Sequence, residues 1–379
     1  MIRLTIPSIE EDDLATVRAV LETGYLVQGK QVAAFEEAVA SYIGVPHAIA
    51  VSNCTAALHM SLLALDVRPG DIVLVTAYSW VATVNVIELC GAQPVFIDID
   101  PATFNMDVTH LESTLQRLMA QPETARRVRA IIPVHTFGQL ADMPVILSLA
   151  ARYNLPVIED AACALGASLD GKQAGTWGSL NCFSFHPRKA ITTGEGGIIT
   201  TADEALQRRL RALRNHGIDP AASVQDFIMP GFNNRMTEFQ AAMGVTQMQK
   251  LDRIIAARHE RALRYNTLLE HTPFTAPVLS PAGSLHVYQS YVIMLPPEAA
   301  PHRARIMQIM VEQGIQVTIG TCHIPMTTYY RTRYNTMPGD FPATDEVAAR
   351  SLTIPLHEQL TPADQSAVVA ALCESLEGI

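Results

Sequence analysis

The chain has 379 residues, 49% of them apolar and 17% charged, with a formal net charge of −10. That describes a well-packed globule with material for two cores, and it excludes a disordered chain and a nucleic-acid backbone as partner. Six cysteines without a C-x-x-C pair read as reduced thiols, not as a disulfide frame or zinc site, and no apolar run suits a signal peptide or a bilayer span, so a cytoplasmic protein with no metal and no membrane contact is expected.

From residue 31 to about 210, short apolar β-runs alternate with longer helical patterns. Strands are expected at 47–51, 72–76, 94–98, 130–134, 156–160, 181–185 and 197–201, and helices at 55–65, 81–89, 108–119 and 144–153. The strands are near-continuous Val/Ile/Leu runs, the mark of strands buried on both faces. This pattern predicts an α/β fold with a mostly parallel seven-stranded sheet and helices on both sides. Helices are expected to dominate 204–269. Beyond Pro273, strand candidates 291–295 and 316–318 flank a helix at 303–313, and a helix at 362–376 closes the chain. The expected division is a large domain 1–250 and a smaller α+β domain 251–379, joined through a long helix around 238–269.

In open α/β sheets, ligands sit beyond the carboxyl ends of the strands. After the first strand, Ser52-Asn53-Cys54-Thr55-Ala56-Ala57-Leu58 leads into a helix. Its free N–H groups could hold a phosphate; ordinary N-capping by Ser52, Asn53 or Thr55 explains the same residues. Trp80, one of two tryptophans, follows the second strand and could stack on a flat cofactor or simply pack in the core. The run 155–158 ends in Glu159-Asp160, either a cap for a helix starting at Ala161-Ala162 or the partner of a cationic ring nitrogen.

The last strand end carries the sharpest signal. The chain has four lysines against 23 arginines. Lys30, Lys172 and Lys250 read as surface charge, Lys172 beside the hairpin-turn signal Asp170-Gly171 and Lys250 on a solvated helix face. Lys189 instead follows the strand Cys182-Phe183-Ser184-Phe185 and precedes a glycine-rich return. An amine can lose its proton and attack a carbonyl, which a guanidinium in practice cannot, so a lysine here points to a Schiff base. Phosphate cup, aromatic, Asp, Ser and Lys then stand in the order expected of a sheet that holds pyridoxal phosphate.

These segments carry a resemblance along nearly the whole chain. Gly24–Gly29, Ser52–Leu58, Tyr78–Thr83, Pro94–Asp100, Glu159–Ala162, Phe183–Gly197, Arg214–Gly217, Gly231–Met236 with Glu238 and Gln240, and Ser351–Leu356 resemble the DegT–StrS family of nucleotide-sugar aminotransferases, fold-type I pyridoxal-phosphate enzymes. The resemblance implies that Lys189 forms the Schiff base and later moves the proton, and that Asp160 holds the pyridinium nitrogen. It implies that Trp80 stacks on the ring and that the Thr55 and Ala56 N–H groups with the Ser184 hydroxyl hold the phosphate. Asn233 would reach the phosphate from the neighbouring subunit of a homodimer with shared active sites, and Tyr25, Gln28, His186 and His323 would face the substrate. Cys163 stands where the family usually has Gln or His against the ring hydroxyl oxygen, a contact that a thiol serves poorly; Cys54 stands where Gly is common.

The implied reaction moves an amino group from an amino acid, L-glutamate, to a keto-sugar carried on a nucleotide. A keto-cyclitol acceptor is the alternative within the family. Lys189 argues against the branch of sugar dehydratases that has histidine there. A catalytically silent sensory or structural homologue is the non-enzyme alternative, and the presence of both Lys189 and Asp160 argues against it. An unrelated nucleotide-binding enzyme would want a glycine-rich loop after the first strand, and Ser52–Ala57 has no glycine.

Overall fold

The structure is a computed structural model that describes residues 1–278 and 283–377. Seven strands form its centre: β1 (His47–Val51), β2 (Ile72–Thr76), β3 (Gln93–Ile97), β4 (Val128–Ile132), β5 (Ile158–Asp160), β6 (Leu180–Ser184) and β7 (Gly197–Thr201). Ladders give two groups, β1-β7-β6-β5 and β3-β2-β4. Parallel bridges Ile131–Val157 and Val134–Asp160 join β4 to β5, so the order is β1-β7-β6-β5-β4-β2-β3. Only β7 runs antiparallel to its neighbours. The expected sheet is therefore present, with each strand within two residues of its expected start.

Alternate side chains of each strand enter different cores, which is why the runs are apolar throughout. Ile49, Val51, Val73, Val75, Ala130, Ile132, Cys182 and Ile199 pack with helices Cys54–Ala64 (α1), Ala82–Leu89 (α2) and Glu204–Arg214 (α3). Ala48, Ala50, Phe183 and Ile198 face the other side, against Lys30–Ile43 and the long helix α4 (Glu238–Leu269). Ile72, Leu74 and Ile131 extend that side against Val108–Met119 and Met143–Arg152.

The stretch 215–237 is not helical, contrary to expectation; between α3 and α4 it holds only the bridges Asn215–Asn233 and Ile218–Phe227. Gly217, Pro220, Pro230, Gly231 and the pair Asn233-Asn234 supply the breakers that stop a helix there. Helix α4 runs unbroken through residue 250. Beyond it, β8 (Tyr291–Met294), β9 (Thr318–Ile319) and β10 (Ser351–Ile354) form a small antiparallel sheet in the order β8-β10-β9. The first residues of the chain return to this part: Ile2 N–H donates to Gly314 O at 2.7 Å and Leu4 O accepts from Leu356 N–H at 3.2 Å. Cys322-His323 pairs with Tyr78-Ser79, tying the second part to the tip of β2.

Candidate active site

The ends of β1, β5 and β6 meet at one edge of the sheet. Across it Gly197 pairs with Val51 on one side and Ser184 on the other. A Cβ on Gly197 would overlap the Asn53 backbone, so only glycine lets β7 begin against the turn that opens α1. That turn is capped by Asn53, whose Oδ1 accepts the Ala56 N–H at 2.8 Å. The capping reading of this segment is therefore realised, and the Ala56 N–H expected to face a phosphate is donated to Asn53. Thr55 is exposed at the same helix start, and half-buried Ser184 pairs with Gly197, which abuts the Asn53 backbone.

Asp160 is 4% exposed at the end of β5. Its Oδ2 accepts the Thr83 hydroxyl at 2.7 Å and its Oδ1 the Ala162 N–H at 3.1 Å. No helix begins at Ala161; Asp160 caps a turn instead. Its neighbour Glu159 is consumed by structure. His135 Nδ1 accepts the Ala141 N–H at 3.2 Å, which leaves the imidazole proton on Nε2, and Nε2–H donates to Glu159 Oε2 at 2.8 Å. The same carboxylate accepts N–H groups from Gly175, Trp177 and Gly178, so it fastens the loop beside β6.

Lys189 follows β6 in a turn closed by its own N–H on His186 O at 2.8 Å. Its side chain is half-buried, and Nζ donates to Cys163 Sγ at 3.1 Å. Burial alone would lower the amine's pKa, but Cys163, Cys54 and Asp160 around it outweigh burial and hold it above the ordinary lysine value. Behind it Cys54 is buried, and burial foremost, with Asp160 next, pushes its thiol well up. Lys30 and Lys172 are exposed as expected, Lys172 over the Trp177 ring at 3.9 Å. Lys250 is not: it is 8% exposed and pairs with Asp12 at 2.6 Å and Asp13 at 2.7 Å. The helix Glu11–Thr23 lies along α4 and covers the face that looked solvated.

The other expected residues surround this centre less closely. Trp80 is 65% exposed, an open aromatic face at a strand tip. His186 is half-buried; its Nδ1 accepts the Arg188 N–H at 3.2 Å, and burial pushes its pKa below the usual value. Tyr25 is exposed, while Gln28 Oε1 is buried without a hydrogen-bond partner among the described residues. Their loop is anchored by Glu238, whose carboxylate accepts N–H groups from Gly29, Gln31 and Val32. His323 Nε2 meets Asp345 Oδ1 at 2.8 Å. Asn233 is exposed, and Asn234 O accepts the Ser52 N–H at 2.9 Å, so this loop lies beside the start of α1. Lys189, Cys163, Asp160 and Cys54 thus form one cluster, with Ser184, Thr55 and Ala56 along the Gly197 edge. Tyr25, Asn233 and His323 make no hydrogen bond to that cluster among the described residues.

Sequence reasoning missed Thr83 and the anchoring role of Glu238. Thr83 carried a usable signal, a hydroxyl two residues after the strand-tip segment Ser79-Trp80-Val81; the partners of Glu238 lie more than 200 residues away and leave no local trace.

A profile of the DegT/DnrJ/EryC1/StrS aminotransferase family matches residues 7–373. GDP-perosamine synthase of Caulobacter vibrioides is 37% identical over 380 aligned positions, covering 99% of this chain and 98% of that protein. Among solved structures, a DegT DnrJ EryC1 StrS aminotransferase from Brucella abortus superimposes with a TM-score of 0.89 at 32% identity, over 98% of this chain and 96% of that one. DesV of S. venezuelae, solved in complex with a ketimine intermediate, superimposes with a TM-score of 0.87 at 28% identity, over 97% and 95% of the two chains.

Proposed function

Since the chain belongs to the DegT/DnrJ/EryC1/StrS aminotransferase family and is thereby a pyridoxal-phosphate-dependent aminotransferase, we propose that it carries an amino group from an amino acid, L-glutamate, to a keto-sugar borne on a nucleotide. The observation that carries this reading is the pairing of a half-buried amine, Lys189, with a buried and doubly hydrogen-bonded carboxylate, Asp160, at one edge of the sheet. The likeness to GDP-perosamine synthase supports the nucleotide-sugar acceptor.

The residues fit the cofactor. Two donors occupy one lone pair on each Asp160 oxygen, which leaves the others free for a ring N–H. Trp80 offers an uncovered face, and the start of α1 offers a helix dipole to a phosphate. Pyridoxal phosphate, when bound, supplies the carbonyl that captures the amine and a protonated ring that withdraws electrons. In this reading Asp160 keeps a negative charge beside the ring nitrogen, and Lys189 Nζ takes the proton from the donor's α-carbon and returns it elsewhere. Ser184 and Thr55 hold the phosphate, joined by Ala56 if its N–H is released from Asn53. His186, His323, Tyr25 and Gln28 face the acceptor. Cys163 stands against the Lys189 amine and, as a thiol, donates weakly to the ring's hydroxyl oxygen.

The reading includes a homodimer whose sites are shared. Tyr25, Leu26, Val27, Val224, Phe227, Ile228 and Phe232 are exposed apolar side chains in the two loops that would meet a second copy. Asn233 of one copy would then reach the phosphate of the other. A division at residue 250 leaves all the proposed cofactor residues in the first part, with α4 shared by both. Free thiols support a reducing compartment, the cytoplasm; no helix among the described residues is long and apolar enough to cross a membrane.

The test is to convert the enzyme to its pyridoxamine form with L-glutamate, remove free amino acid, and offer a panel of nucleotide-linked keto-sugars, free keto-sugars and keto-cyclitols. Mass spectrometry should find an aminated product only with nucleotide-linked acceptors. Amination of a keto-cyclitol alone would overturn the sugar assignment.

A further inference from the structure

Thr83 is 1% exposed, near the start of α2. Its Oγ1 lies 2.7 Å from Asp160 Oδ2, 3.2 Å from Trp80 O and 3.3 Å from Ser79 Oγ. A hydroxyl has one proton to donate. The carboxylate can only accept and is nearest, at the length of a charge-assisted bond, so the proton points to Asp160. Ser79, 5% exposed, can then turn its own hydroxyl toward the Thr83 lone pairs. The result is a buried line, Ser79 to Thr83 to Asp160, that ends on the carboxylate.

The second Asp160 oxygen takes its donor from the turn after β5, through Ala162 N–H. One oxygen is therefore held from α2 and the other from the turn after β5, and together the two donors set the plane of the carboxylate. The five residues 79–83 also carry Trp80. A planar ring held by its face and by its nitrogen needs the aromatic and the carboxylate in one frame, and this segment supplies that frame. We infer that Thr83 is a positioning residue: its hydroxyl aims the Asp160 carboxylate at the cofactor's ring nitrogen in register with Trp80. This rests on the proposed role of Asp160.

The experiment compares the parent with Thr83→Val, which keeps the shape and removes the hydroxyl, and Thr83→Ser, which keeps the hydroxyl. The readouts are the dissociation constant for pyridoxal phosphate by absorbance titration, and the rate and saturation constants of single-turnover conversion by L-glutamate. T83V should weaken cofactor binding and slow the saturated rate roughly ten-fold or more, as for the loss of a buried hydrogen bond to a charged group. The saturation constant for L-glutamate should hold, and T83S should restore both other values to within about three-fold of the parent. In an Asp160→Asn background T83V should have no further effect, because Thr83 acts through the carboxylate. Should T83V fail to fold, Thr83→Ala takes its place. Parent-like values for T83V, a T83S as impaired as T83V, or an undiminished T83V effect in the D160N background would each overturn the inference. A D160N enzyme as fast as the parent would overturn the reading beneath it as well, whereas a slow D160N with a parent-like T83V overturns the Thr83 role alone.

Discussion

Replacing Asp160 by Asn changes one atom in a site that solvent does not reach: the residue is 4% exposed, and its two oxygens accept from Thr83 and Ala162. The amide retains one acceptor oxygen, so one of those two donors loses its partner unless the Thr83 hydroxyl turns round to accept from the amide NH2. More important, the negative charge beside the ring nitrogen is gone. An opposite charge at contact distance shifts a pKa by about 1–3 units, which is about 1.4–4 kcal/mol. If the ring must be protonated to stabilise charge on the donor's α-carbon, that energy is added to the barrier. The expected loss is roughly 10- to 1,000-fold in the rate of the half-reaction with L-glutamate. Cofactor binding should weaken but persist, because Trp80, Ser184 and the start of α1 are untouched. Stopped-flow absorbance on pyridoxal-phosphate-loaded D160N, at saturating L-glutamate, measures the step directly. A rate within three-fold of the parent would refute the argument, since no rearrangement of an amide restores a charge.

Borohydride reduction of the holoenzyme followed by peptide mapping should place the phosphopyridoxyl label on Lys189, and Lys189→Ala should abolish it; label on Lys30, Lys172 or Lys250 would sink the assignment. Lys250→Met should destabilise the fold by about 3–5 kcal/mol in urea denaturation, because it strands the buried Asp13 carboxylate with only its neutral donors. Burial alone would raise the Asp13 pKa, but hydrogen bonds led by Lys250 outweigh it and hold it below the usual carboxylate value. Its stabilisation is therefore full above the unfolded pKa near 4 and lost as pH falls through the lower folded value, so acid titration of stability should be shallower in K250M, and an unchanged profile would count against the pair. Mixing Lys189→Ala chains with Asn233→Asp chains should recover activity that neither has alone, since one site of a mixed dimer then carries both lesions and the other neither; no recovery with heterodimers present would place Asn233 in its own chain's site or in none.

What the sequence made legible was whatever a local pattern encodes. The seven strands are buried on both faces, so their apolar runs appear without knowledge of their neighbours, and the turn Asp170-Gly171 takes the two positive φ values of 49° and 76° that its residues announce. Lys189 was legible because the contrast is chemical: a rare amine at a strand end. What stayed hidden depends on residues far apart in the chain. Lys250 has Gln247, Gln249 and Asp252 as sequence neighbours and looks solvated, yet its partner Asp13 lies 237 positions earlier, on a helix that the pattern of the first residues did not reveal. Glu159 and Asp160 are adjacent in sequence and alike in type, but the alternation of a strand sends one to His135 and the loop at 175–178, and the other to Thr83 and the site. Nothing in Glu159-Asp160 alone says which carboxylate is free to act. The answer lies in the count of donors each has already met: Glu159 is filled by one imidazole and three backbone N–H groups, while Asp160 holds one donor on each oxygen and keeps a lone pair on each for a cation.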